Sequence, residues 1–169
     1  MSLHNGYLTN RQFAIWNMLR EGFSQSEIAR RLNISRQAVN QMISLIPDKV
    51  AMALMDAAKL NRIEPRYIDN KRGILFGWSK DFQIEVIIAL NAEGLQLWYQ
   101  HNLGNCALCQ NTRECKKTLI KTAKILGVAL TWRERRLPPS KLSSLLFSKI
   151  RTNAKCVKYN EVYVSERKK

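Results

Sequence analysis

The chain has 169 residues, 46% of them apolar, which is enough to bury a core in one ordinary domain or two small ones. Its 28 Lys and Arg against 13 Asp and Glu give a formal net charge of +15, a field that favours a polyanionic partner, nucleic acid being the usual one. No run of about 20 apolar residues occurs, and the opening "MSLHNGYLTNRQ" lacks the charged flank and apolar block of a secretory signal, so a cytoplasmic protein without a membrane span is expected.

The first 44 residues punctuate themselves as three helices. Thr9 with Gln12 and Ser24 with Glu27 form capping-box patterns, and Ser35 suits the N-cap of a third helix. Gly22 is placed to stop the first helix in left-handed backbone. Phe13, Ile15, Trp16 and Leu19 give that helix an apolar face; Ile28, Ala29 and Leu32 do so for the second, and Val39, Met42 and Ile43 for the third. The three-residue link "NIS" fits the tight turn of a helix-turn-helix. Asn33 tolerates the left-handed backbone that the turn needs, Ala29 lets the helices cross closely, and Ile34 plugs the turn from below.

The segments "LTNRQ" (Leu8 to Gln12), "EGFSQSEIARRL" (Glu21 to Leu32) and "NISRQAVNQ" (Asn33 to Gln41) resemble the helix-turn-helix of bacterial and archaeal regulators. They look most like the archaeal Tfx-type family and the LuxR-type modules. The resemblance covers about the first third of the chain and implies binding to double-stranded DNA. The third helix would lie in the major groove with Ser35, Arg36, Gln37, Asn40 and Gln41 toward base edges. Arg pairs with guanine, and Asn or Gln with adenine; Ser35 has the alternative role of a cap. Arg30 and Arg31 on the second helix are placed for phosphates.

Pro47 is expected to end the third helix and open a new one, reaching about Ile63. Val50, Leu54, Ala57 and Leu60 form a stripe on it that Met52, Met55 and Ala58 widen. So broad an apolar girth must be covered, by its own domain or by a two-fold partner; a homodimer is expected. Next come the β-rich runs "RYID", "GILFGWS", "FQIEVIIAL" and "GLQLWYQ". Their separators are short enough for hairpins, which predicts an antiparallel meander. No Gly-rich phosphate loop and no nucleophile–base motif appears, so no enzymatic activity is expected.

Residues 101–169 hold 16 basic and 4 acidic groups. Here Cys106, Cys109 and Cys115 follow C-x2-C-x5-C, with Cys156 remote. In a reducing compartment four thiols point to metal or redox chemistry over disulfides. The C-x2-C pair would grip one edge of a metal site, Cys115 another corner, and Cys156 the last, with His101 as its alternative. Four thiolates suit an iron–sulfur cube; zinc prefers two compact pairs and remains the alternative. A helix predicted from about Arg113 to Leu126 would set its positive end near Cys115. The spacing resembles that of the fumarate-and-nitrate-reduction regulators, and WhiB-type regulators share the three-Cys segment. That resemblance implies a [4Fe-4S] cluster responsive to oxygen. Beyond the loop, "TWRERRLPPSKL" is a basic turn, Ser140 to Ile150 reads as a helix, and "CVKYNEVYV" alternates like an edge strand. Arg133, Arg135, Arg136, Lys149 and Arg151 are candidates to extend the phosphate-binding footprint.

Together these elements predict an α+β protein. A helix-turn-helix domain spans residues 1–46, a linking or dimer helix 47–63, and an α+β domain with the meander and the Cys module 64–169. The expected function is DNA-binding transcriptional regulation coupled to the metal site, with a regulator carrying purely structural zinc as the alternative and an iron–sulfur nucleic-acid-processing enzyme as a further one.

Overall fold

A computed structural model of the chain describes residues 6–91, 94–100, 105–153 and 157–158. Three helices lead: α1 (Asn10–Arg20), α2 (Gln25–Leu32) and α3 (Arg36–Leu60). Four strands follow, β1 (Ile63–Asp69), β2 (Ile74–Ser79), β3 (Ile84–Asn91) and β4 (Gly94–Tyr99). Helices α4 (Thr112–Ile125) and α5 (Pro139–Asn153) and the short strand β5 (Val157–Lys158) close the described chain. The architecture is α+β, as the sequence predicts.

Local chemistry sets the first boundaries. Both capping boxes form: the Gln12 N–H donates to Thr9 Oγ1 at 3.2 Å while Thr9 N–H donates to Gln12 Oε1 at 3.1 Å. Ser24 and Glu27 bond reciprocally in the same way. Gly22 has φ +92° just past α1, and the Phe23 N–H donates to Met18 O at 3.0 Å, which terminates the helix as expected.

The break expected at Pro47 does not occur. Helix α3 runs unbroken from Arg36 to Leu60 with Pro47 inside it, and Ile63 begins β1 instead of ending a helix. A proline there forgoes one backbone hydrogen bond. Burial offsets that loss: Val39, Ile46, Val50, Ala51, Leu54, Ala57 and Ala58, on both sides of Pro47, join one core. The helix is therefore a single rod from the turn of the helix-turn-helix to the sheet.

The five strands form one antiparallel sheet in the order β4-β3-β2-β1-β5. Its central strands are covered on both faces. Leu75, Val86, Ile88 and Leu90 pack with α1–α3, while Ile74, Phe76, Ile87 and Ala89 alternate to the other side and pack with Leu119, Ala123, Leu142, Leu146 and Ile150 of α4 and α5. The period-two alternation of a strand thus feeds two separate cores, and the chain becomes three layers: α1–α3, sheet, α4–α5. Arg72, in the β1–β2 turn, ties the sheet to the far layer through Nη2, which donates to Leu126 O at 2.9 Å.

Candidate nucleic-acid interface

The turn between α2 and α3 is built as its sequence requires. Asn33 has φ 50° and ψ 50°, and the Ile34 N–H donates to Ala29 O at 3.0 Å. Ile28, Ala29 and Val39 are buried under it, and Ile34 packs against the same core. Ser35 caps α3, its Oγ accepting from the Ala38 N–H at 3.1 Å. Lys49 Nζ donates to Gln12 Oε1 at 2.9 Å, so α1 is pinned to the middle of α3.

This frame leaves one face of the first turns of α3 open. Arg36, Gln37, Asn40 and Gln41 are all exposed, with Ser35 at their head. Positions 36, 37, 40 and 41 lie together on a helix. The group combines one guanidinium with three side-chain amides and no carboxylate, the donor and acceptor set that reads purines in a major groove. Arg30 and Arg31 are exposed in the last turn of α2. Arg31 is held by stacking, its guanidinium carbon 4.0 Å from the Phe23 ring centroid. That contact, eight residues apart, has no signature in local periodicity. Arg20 is different: it stacks on Trp16 at 4.7 Å, and burial, with Arg72 nearby, lowers its pKa. Glu27 is held below the ordinary carboxylate range by its hydrogen bonds from Ser24.

The thiols are arranged less simply. Thr112 Oγ1 donates to the carbonyls of Cys106 and Cys109, which rolls the loop onto the start of α4. The Ser140 N–H, at the start of α5, lies 3.4 Å from Cys106 Sγ. The start of α5 therefore also meets a sulfur, a contact that the spacing of the cysteines does not announce. Cys115 sits in the first turn of α4 as predicted, but it and Cys109 are exposed, and Cys106 is half-buried. Among the described residues no three His, Cys, Asp or Glu side chains are gathered to hold a metal ion. Cys156 and His101 lie outside the described residues.

The basic candidates of the C-terminal layer divide. Lys149 pairs with Glu134 at 2.7 Å and Arg151 with Glu85 at 2.9 Å. Arg133 and Arg136 flank the exposed ring of Trp132 at 5.6 and 4.7 Å. All are in or beside the layer across the sheet from α1–α3.

The N-terminal geometry defines a helix-turn-helix. Residues 7–53 match the family described as GerE, bacterial regulatory proteins, luxR family. The match ends inside α3 and does not reach the sheet or the cysteines. Neither a curated protein nor a solved structure matches the chain. The chain thus carries a DNA-binding domain of the kind found in transcription regulators. No helix among the described residues is long and apolar enough to cross a membrane.

Proposed function

We propose that the protein is a sequence-specific transcriptional regulator that reads double-stranded DNA with Arg36, Gln37, Asn40 and Gln41, Arg30 and Arg31 contacting phosphates. The observation that carries this is the exposed, carboxylate-free face at the start of α3 beside the left-handed Asn33 turn. Selection from a pool of randomised duplexes tests it. An enriched motif is expected, with guanine and adenine positions matching one Arg and several amides; a pool that stays flat after repeated rounds at fixed salt contradicts it.

Homodimerisation belongs to the same reading. Leu45, Met52 and Leu60 stay exposed along α3 after its own domain has covered the rest of the apolar girth, and paired half-sites call for a two-fold protein. Sedimentation of the free protein checks this, a monomer at all concentrations speaking against it.

The finer reading concerns the thiols. Cys106, Cys109, Cys115 and Cys156 would hold a [4Fe-4S] cluster, or zinc in the alternative. A cluster would supply redox sensitivity and zinc only a fixed fold. Support comes from the C-x2-C-x5-C spacing and from the Ser140 N–H, which aims a backbone donor at Cys106 Sγ. The described sulfurs are not gathered, so this reading stands on the chain's chemistry. Anaerobic purification with iron, sulfide and zinc analysis decides it: iron with sulfide supports the cluster, stoichiometric zinc the alternative, and neither metal refutes both. Cys156→Ser leaving the metal content unchanged would pass the fourth place to His101 or to a partner.

A further inference from the structure

The stretch Thr112–Arg151 carries eleven Lys and Arg and only two carboxylates, Glu114 and Glu134. Both carboxylates are engaged, Glu114 with Lys117 at 3.3 Å and Glu134 with Lys149 at 2.7 Å. On the outer side of α4 this charge borders a groove of about 740 Å³, with Lys117, Lys121, Lys124 and Arg135 around a floor that includes Ile120 and Val128. Lys117, Lys121 and Lys124 stand at i, i+4 and i+7, a row about 10 Å long at 1.5 Å per residue. One strand of B-DNA places a phosphate every 3.4 Å of axis, so such a row meets about three phosphates.

In the chain between the groove residues Leu130 and Arg135, Trp132 is 61% exposed and carries Arg133 and Arg136 against its ring. The loop under it is fixed. The Thr131 N–H donates to Glu134 Oε2 at 2.7 Å, and Lys149 Nζ reaches both Glu134 and Ala129 O. Guanidiniums already ordered on a stiff indole lose less freedom when they bind a phosphate. An anionic lipid surface would ask instead for a broad exposed apolar face to insert, whereas the apolar floor here lies below the cations, with Ile120 half-buried and Val128 buried. The exposed residues of α4, Arg113, Glu114, Cys115, Lys117, Thr118, Lys121 and Lys124, include no large apolar side chain.

We propose that this outer face is a second, sequence-independent site for duplex DNA, so that one protomer holds one duplex on α3 and another across the sheet. Two facts place the duplexes on opposite sides. Leu119, Leu142 and Leu146 turn inward to the core on the far side of the sheet from α1–α3, and the groove's Lys117, Lys121 and Lys124 are exposed on the side of α4 opposite Leu119. The site would neutralise phosphates through Lys117, Lys124, Arg135 and Arg136 without reading bases. The bridging geometry rests on the helix-turn-helix reading; the second site itself does not.

The test uses the full chain. A biotinylated duplex bearing the selected motif is immobilised, loaded with protein, and challenged with a fluorescent duplex of unrelated sequence. The wild type is expected to capture the second duplex in the micromolar range usual for backbone binding, with steep loss on raising salt. Combining Lys117→Glu, Lys124→Glu and Arg136→Glu should cut that capture by at least about tenfold and lower its salt slope by about 2.7, about 0.9 for each contact. Affinity for the first duplex should change by less than about twofold, as distant sites add independently. These side chains point outward, so an unchanged melting curve is expected; the corresponding Gln variants serve if the glutamates disturb folding. Arg36→Ala with Gln37→Ala should lose the motif but keep the unrelated duplex. Wild-type protein that captures no second duplex overturns the proposal. So does capture that survives the triple variant, or parallel loss of both duplexes, or preference for phosphatidylserine vesicles over the unrelated duplex. Failure to bind the motif at all would count against the recognition helix instead.

Discussion

Substituting Pro47 by Ala separates one continuous α3 from two abutting helices. In a helix interior proline costs about 3 kcal/mol relative to alanine, because Ile43 O lacks its donor and the ring crowds that carbonyl. Pro47 is half-buried within α3, so its replacement also removes two partly buried methylenes. At about 0.8 kcal/mol for each when fully buried, half burial loses about 0.8 kcal/mol in all. The net gain expected is about 2 kcal/mol. For a chain of this size 1 kcal/mol shifts Tm by about 2–4 °C, so Tm should rise by about 4–8 °C. Thermal unfolding followed by circular dichroism, with urea unfolding as a check on two-state behaviour, measures it. At the first position of a separate helix proline has no N–H to lose, and the same change would be neutral or slightly destabilising. A Tm that stays put or falls would therefore refute the unbroken rod.

Ser24→Ala should cost about 1 kcal/mol by removing the cap of α2, read as a lower urea midpoint. The loss should be largest at neutral pH. Glu27 has its folded-state pKa depressed by Ser24, so its contribution is present above the ordinary carboxylate range and fades as pH falls through the depressed value; an effect that grows in acid would contradict the assignment. Gly77→Ala should destabilise the sheet by about 1–3 kcal/mol. A Cβ there would stand 2.4 Å from Ile63 Cγ2 and 2.8 Å from Glu64 O, and the backbone atom cannot swing aside. An unchanged Tm would show that β1 and β2 pair in another register.

The helix-turn-helix is legible because independent local rules agree in one register: two capping boxes, a Gly stop, an Asn in left-handed backbone and Ser35 as a cap. The meander is legible from hairpin-length separators between β-rich runs. Pro47 misleads because the local rule for proline is outweighed by burial of Val39, Ile46, Val50 and Leu54 against partners remote in sequence. The two-sided burial of β2 and β3 is hidden for a related reason. An apolar run such as "VIIAL" does not say what will cover its second face, and α4 and α5 begin only 22 and 49 residues after Leu90. Around the thiols, the helix that meets Cys106 starts at Pro139, where no periodic signal links it to the loop. The ordering of Arg133 and Arg136 on Trp132 rests on the short-range exchange between Thr131 and Glu134 and on Lys149, far along the chain. Only the first of these has a sequence pattern.

The most direct test of DNA reading by α3 is equilibrium binding of a labelled duplex carrying the selected motif, at one salt concentration, by wild type and by Arg36→Ala with Gln37→Ala. Each base-reading pair contributes about 1–3 kcal/mol of discrimination. The double variant should therefore fall to the affinity of an unrelated duplex while the wild type keeps its preference. A double variant that still prefers the motif to the same degree would contradict the account.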